Sequence, residues 1–254
     1  MYIDYIEHHI VDHCNLKCAG CSHFSPLVDE PWLEDINDFK KDFTQLAQMT
    51  EIGTIRLMGG EPLLHPQLPD FISIIRELFP KSSIWIVTNG ILLKERKEEL
   101  LKLCNDLNVG ICVSNYNLKF DLRDYLSGFK ITRVDSKGLM YNISLDLSGA
   151  QNPMSAFQKC DLHRYHYYFF QGGRFFPCCI SSNLHYFNEY FEGVVDAYDL
   201  DEISILIYEH SIEEIIQFLN EPIDMCKYCN TERRMRTHSP FRVSKKEIEE
   251  WTYH

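Results

Sequence analysis

Apolar positions along the first half of the chain follow two alternating periods. Four short runs, Ile6–Val11, Thr54–Met58, Ser83–Thr88 and Val109–Ser114, read as strands, the last three apolar enough to be buried on both faces of a parallel sheet. Between them Ile36, Phe39, Phe43 and Leu46 recur at helical spacing, as do Phe71, Ile74, Ile75 and Leu78, and then Leu93, Leu100, Cys104 and Leu107. Repeated strand–helix units predict a parallel sheet with helices outside, either a barrel or an open sheet. A weaker helix–strand pair follows through Leu122–Leu126 and Lys130–Val134. Beyond residue 140 the pattern changes. Tyr165–Phe170, a Gln-Gly-Gly turn and Arg174–Pro177 predict a β-hairpin. Ser211-Ile-Glu-Glu opens a helix with a capping box, and Ile212, Ile215, Ile216 and Leu219 form its apolar face.

Composition narrows the class. With 254 residues, 45% hydrophobic and 24% charged, the chain has ordinary globular composition and length enough to bury a large core without covalent staples. No apolar run reaches the roughly 18 residues of a membrane span, and the acidic start Met1–Ile10 does not read as a signal peptide. The 25 basic and 37 acidic side chains leave a net charge of −12, which argues against unspecific binding to nucleic acid or an anionic membrane. Ten cysteines without a secretion signal imply a reducing, cytoplasmic location, where clustered thiols favour metals over disulfides.

Eight of the cysteines form two groups. Cys14, Cys18 and Cys21 give a C-x3-C-x2-C spacing just after the first strand. Three packed thiolates leave one position of a metal site open. They hold either an iron–sulfur cluster with one iron unligated by protein, or a zinc ion with His13 or His23 as fourth ligand. Each later strand also ends in a polar or glycine-rich motif: Gly59-Gly60-Glu61-Pro62, then Thr88-Asn89-Gly90, then Ser114-Asn115. The C-terminal ends of parallel strands are where α/β folds build their sites, so these motifs are expected to meet. Glycine there admits a ligand close to the backbone, Glu61 can accept from an ammonium group, and Asn89 and Ser114 can bond hydroxyls or a carboxylate.

Together these motifs resemble the radical S-adenosylmethionine (radical SAM) enzymes over residues 4–135. The resemblance implies an α/β fold, a partial (β/α)6 barrel, with a 4Fe-4S cluster on Cys14, Cys18 and Cys21. The open iron would chelate S-adenosylmethionine (SAM), whose amino group Gly59, Gly60 and Glu61 would hold, with Asn89 and Ser114 near its ribose or carboxylate. In that family the cluster cleaves SAM to a 5′-deoxyadenosyl radical that abstracts hydrogen from substrate. An electron donor such as flavodoxin or ferredoxin is the implied partner.

The second group is Cys160, Cys178, Cys179, Cys226 and Cys229, in which Cys160, Cys178, Cys226 and Cys229 make two separated ligands and a C-x2-C knuckle. Alone it would suit a four-cysteine zinc site. After a radical SAM core it resembles the shortened, twitch form of the SPASM auxiliary-cluster domain, over residues 150–235, which implies a second 4Fe-4S cluster. The expected division is a core over 1–140 and a small hairpin-plus-helix domain with a tail over 141–254. Cys179, beside Cys178, departs from the pattern; it is either a small buried residue, an alternative ligand, or a hydrogen-atom donor to a substrate radical. Cys104 and Cys112 read as core residues, and Arg233, Arg234 and Arg236 either line the site mouth for an anionic group or form a solvated surface. No general base stands out among Arg133, Arg164 and His163.

The expected activity is dehydrogenation or epimerisation of a small polyol, sugar or aminocyclitol-type substrate. The competing expectations are a maturase that crosslinks or epimerises a ribosomal peptide and, outside enzymes, a zinc-binding interaction protein.

Overall fold

The computed structural model describes every residue except 117–120, 136–138, 142, 197–198, 235, 239–241 and 254. Strand β1 (Tyr2–Val11) leads through the first cysteines to α1 (Ile36–Met49). There follow β2 (Glu51–Gly59), α2 (Leu68–Leu78), β3 (Ser83–Thr88), α3 (Leu93–Asp106), β4 (Val109–Ser114), α4 (Leu122–Leu126) and β5 (Thr132–Asp135). The second half carries β6 (Leu139–Tyr141), α5 (Pro153–Lys159), α6 (Asp161–Arg164), β7 (Tyr168–Gln171) and β8 (Arg174–Phe176). After these come α7 (Cys179–Tyr190), α8 (Leu200–Ile203), β9 (Ile205–Leu206), α9 (Ile212–Leu219) and β10 (Arg236–His238). No helix among the described residues is long and apolar enough to cross a membrane.

The α/β fold with a parallel-rich sheet is the one expected from the sequence. Its open sheet runs β5-β4-β3-β2-β1-β7-β8-β9. All pairs from β5 to β7 are parallel, and β8 and β9 join antiparallel. The sixth parallel strand is therefore β7, the first strand of the hairpin. The sequence assigned that hairpin to the C-terminal module, but Ile6 and Glu7 pair with Tyr168 and Phe169, so it continues the first sheet. Hairpin periodicity reports the strand and its turn, where Gly172 and Gly173 both take positive φ, but not which edge the strand joins.

One sheet face packs on the helices. Ile6, Ile10, Ile55, Leu57, Ile84, Ile86, Ile111 and Val113 meet Phe39, Phe43, Phe71 and Ile75 from α1 and α2 in one buried cluster. Each such side chain contributes about 1.5–3 kcal/mol by leaving water. Phe39 and Phe43 stack at 4.2 Å, and the buried ring of His8 sits edge-on to both while its Nδ1 bonds the Phe170 carbonyl at 2.6 Å. Burial drives His8 down to a pKa of about 3, so it is a neutral core residue. A second cluster, with Phe24, Phe187 and Trp251 wholly buried, supports the C-terminal half. Cys104 and Cys112 are buried, as expected of core residues. The capping box forms as predicted, with Ser211 accepting from the Glu214 amide.

The opposite face is not filled by aliphatic packing. Across it run Phe169, Glu7, Arg56, Trp85 and Gly110, each in register with the next. A Cβ on Gly110 would lie 2.5 Å from the Trp85 ring, so the glycine is the space the indole needs. Gly110→Ala is expected to cost about 1–3 kcal/mol by overpacking, and a Trp85→Ala background should remove most of that cost. Urea unfolding of the four-member cycle checks this; additive losses would count against the contact.

Candidate active site

Two glycines set the position of the first cysteines. After β1 the chain crosses the end of β2, with the Gly60 amide donating to the Val11 carbonyl at 2.8 Å and the Glu61 amide to His13 at 3.2 Å. A Cβ on Gly59 would stand 1.9 Å from the Val11 oxygen, and one on Gly60 would stand 2.1 Å from the His13 oxygen. No side chain fits either place. Beyond this crossing lie Cys14, Cys18 and Cys21. A C-terminal strap holds their loop from outside: the Ala19 amide donates to Arg242 at 2.9 Å, Ser244 to Lys17 at 2.7 Å, and the Trp251 indole to the Cys21 carbonyl at 2.9 Å. The sequence offered no sign of this strap, because its pairs are isolated and long-range.

The three thiols face one cavity of about 100 Å³, together with Gly59, Gly60, Thr88, Asn89 and Ser114. Burial raises all three thiol pKa values, Cys14 to about 12, and mutual repulsion of the thiolates adds to the effect on Cys14 and Cys18. Such a set is protonated when alone and suits a bound cation that takes over the protons' role. The donor set therefore fits a thiolate-bound metal cluster. Asn89 Nδ2 donates to Asn15 at 2.7 Å and lies 3.8 Å from Cys14 Sγ, tying the third strand's motif to the loop.

Glu61 has a different situation from Gly59 and Gly60. It is fully buried and does not line this cavity. Its carboxylate accepts from Thr88 Oγ1 at 2.6 Å, from the Asn89 amide at 2.8 Å and from the Leu63 amide at 3.1 Å. Burial pushes its pKa up to about 7 against those hydrogen bonds. In this arrangement Glu61 fastens the end of β2 to the end of β3.

A second cavity of about 580 Å³ adjoins the first, sharing His23, Met58, Val87, Ser114 and Tyr116. Glu7 projects into it from β1, Arg56 from β2, Arg133 and Asp135 from β5, and Cys179 from the start of α7. Tyr5 donates to Glu7 Oε1 at 2.5 Å. Burial raises the Glu7 pKa, opposed by that hydrogen bond and by the Arg56 charge. Arg133 Nε bonds Asp135 at 2.6 Å. Ligating atoms of Glu7, His23 and Cys179 lie within 4.8 Å of one another.

Cys160, Cys178, Cys226 and Cys229 converge elsewhere, on an enclosed cavity of about 30 Å³ walled by Phe157, Pro177, Ile223 and Met225. Cys178 caps α7 and faces this cavity, where burial and the neighbouring Cys229 and Cys160 push its pKa up to about 11. Cys179 faces the 580 Å³ cavity instead. These two neighbouring side chains thus face different cavities. Four thiols in a closed apolar pocket also fit a thiolate-bound metal or cluster. Of the other residues considered, Arg164 is exposed and pairs with Asp161, and His163 lines the four-cysteine pocket; neither lines the larger cavity. Arg234 turns into the four-cysteine pocket rather than a site mouth. Glu7 and Arg56 escaped the sequence reading, although a charged residue inside a strand buried on both faces is the signal that marks them.

The radical SAM superfamily model matches residues 9–124. This segment is a radical SAM domain. Such a domain implies a 4Fe-4S cluster and SAM. The GTP 3′,8-cyclase of Nautilia profundicola is 36% identical over 100 residues, 39% of this chain and 31% of that protein. The GTP 3′,8-cyclase of Chlorobaculum tepidum is 31% identical over 133 residues, 52% and 37% of the two chains. The chain thus matches about a third of the length of these curated relatives. The crystal structure of BtrN in complex with AdoMet and 2-DOIA aligns with a TM-score of 0.54 at 19% identity, covering 94% of this chain and 97% of that one. At that identity the likeness is one of fold.

Gly60→Ala is expected to displace the His13 backbone and abolish iron binding at Cys14, Cys18 and Cys21, and Cys18→Ala is expected to do the same. Iron per chain after anaerobic reconstitution checks this. Wild-type iron in Gly60→Ala would show that the crossing does not position the loop.

Proposed function

We propose that this radical SAM enzyme acts at a hydroxyl-bearing carbon of a small polyol, sugar or aminocyclitol-type substrate, as a dehydrogenase. The observation that supports this most is the 580 Å³ cavity, which adjoins the three-cysteine site and is lined by Cys179, the chain neighbour of Cys178 in the four-cysteine pocket. When bound, SAM and two 4Fe-4S clusters would supply a 5′-deoxyadenosyl radical for hydrogen abstraction and an acceptor for the substrate's second electron. Cys14, Cys18 and Cys21 would hold one cluster, and Cys160, Cys178, Cys226 and Cys229 the other. Gly59, Gly60, Asn89 and Ser114 would contact SAM, with Glu61 keeping their strand ends together.

The cavity offers acceptors at Glu7 and Asp135 and donors at Arg56 and Arg133, a set that neutral hydroxyls satisfy in both directions. Glu7 is the group suited to take the hydroxyl proton. Burial raises its proton affinity, and Tyr5 fixes one of its oxygens. An electron donor such as flavodoxin or ferredoxin is the partner this chemistry requires. A second reading, epimerisation, is favoured by Cys179, whose buried thiol faces the same cavity. It would return a hydrogen atom to the substrate carbon, leaving a thiyl for the electron donor to reduce.

Reconstituted protein with SAM and a reductant is expected to form 5′-deoxyadenosine, and Cys18→Ala to lower this to background. Continued formation would refute the cluster assignment. A panel of carbon-deuterated polyols and sugars should transfer deuterium to 5′-deoxyadenosine. GTP, the substrate in the relatives' name, is the counter-test, and turnover of GTP alone would overturn the polyol reading. With a substrate in hand, Cys179→Ala separates the two reactions. A dehydrogenase keeps turning over, whereas an epimerase still abstracts hydrogen but stalls before product.

A further inference from the structure

Among the described residues lining the four-cysteine pocket, Arg234 alone carries a permanent charge. It follows Cys229 by one tight turn, in which the Arg233 amide bonds both Asn230 Oδ1 and the Asn230 carbonyl at 3.2 Å. Arg233 leaves that turn outward, its guanidinium 4.0 Å above the Tyr253 ring. Arg234 goes inward. Its Nη1 lies 3.1 Å from Cys160 Sγ, and its Nε donates to the Ile143 carbonyl at 3.4 Å. Its charge and a hydrogen bond also reach Cys229.

We propose that Arg234 raises the reduction potential of the cluster held by Cys160, Cys178, Cys226 and Cys229, making that site the electron acceptor of the pair. The inference rests on the reading of those four cysteines as a cluster site. Reduction adds one negative charge to a thiolate-ligated cluster. A cation hydrogen-bonded to its sulfur ligands stabilises that charge, and the apolar walls leave the interaction poorly screened. Net charge, hydrogen bonds to sulfur and solvent exposure are the levers that set such potentials, and Arg234 works through the first two. It acts through the ligands and touches no reacting atom, so it is a positioning residue. The three-cysteine site has no arginine or lysine among the described residues lining its cavity, which separates the two sites electrostatically.

The test is an anaerobic redox titration of the reconstituted full chain, followed by electron paramagnetic resonance, with iron counted in the same samples. Arg234→Gln should lower the ratio of reduced to oxidised cluster at one site about tenfold at fixed potential, ~59 mV for a one-electron couple. The other cluster should titrate as in the wild type. Arg234→Lys, which keeps the charge but loses the forked geometry, should fall between. Full iron with unchanged potentials in Arg234→Gln overturns the proposal. If that variant loses iron, Arg234→Lys decides, and a wild-type potential there overturns it. About four irons in the wild type, or no iron lost in Cys226→Ala, instead removes the cluster reading on which the proposal stands.

Discussion

Where the chain leaves β1, two backbones approach closer than any side chain permits. Gly59 and Gly60 let the carbonyls of Val11 and His13 lie against the end of β2, and the geometry of the site descends from that contact. It decides where Cys14 begins the ligand loop. It also brings the Glu61 amide to His13, so the Glu61 side chain turns inward to Thr88 and Asn89. Asn89 in turn reaches Asn15 on the loop. Three strand ends are thereby closed into one ring of hydrogen bonds, with the thiols held above it. Proximity of this kind is cheap for glycine and unavailable to other residues.

The electrostatics divide the interior into three environments. Two are pockets of thiols whose pKa values burial pushes upward, and both need metal charge to become stable thiolate sites. Between them lies a cavity with balanced charges, Glu7 against Arg56 and Asp135 against Arg133. Balanced, hydrogen-bonding walls recognise neutral polar molecules better than strongly charged ones, because each wall group already has a counter-charge. Cys178 and Cys179, neighbours in the chain, face the four-cysteine pocket and the cavity respectively.

Much of the sheet was legible from periodicity. The strands at 83–88 and 109–114 appear with the bounds their apolar runs suggest, and the helix between them buries Leu93, Leu100 and Cys104 of its predicted face. The motifs at the strand ends also meet as expected, because parallel strands put all their C-terminal ends on one side. The partnership of β7 with β1 was not legible, since strand patterning does not encode which edge a strand joins. Glu61 shows a limit of another kind. A carboxylate beside two glycines suggests a ligand contact, yet three internal donors occupy it here. Arg234 likewise read as either a site-mouth charge or a solvated one, because only the fold reveals that the tight turn after Cys229 points it inward.

The strap over the first cysteines has a temporal consequence. Gly20 lies so close to the Glu250 carbonyl that a Cβ would be 2.8 Å away, and Trp251 closes on Cys21 while its backbone also pairs with Leu145, which bridges to Cys229. Ligands at 14–21 thus gain their outer wall from residues synthesised some 230 positions later. During synthesis Cys14, Cys18 and Cys21 remain uncovered until the strap has been made, and insertion of a cluster can precede closure. The same strap reaches the second cysteine group through Leu145, which pairs with Trp251 and bridges to Cys229.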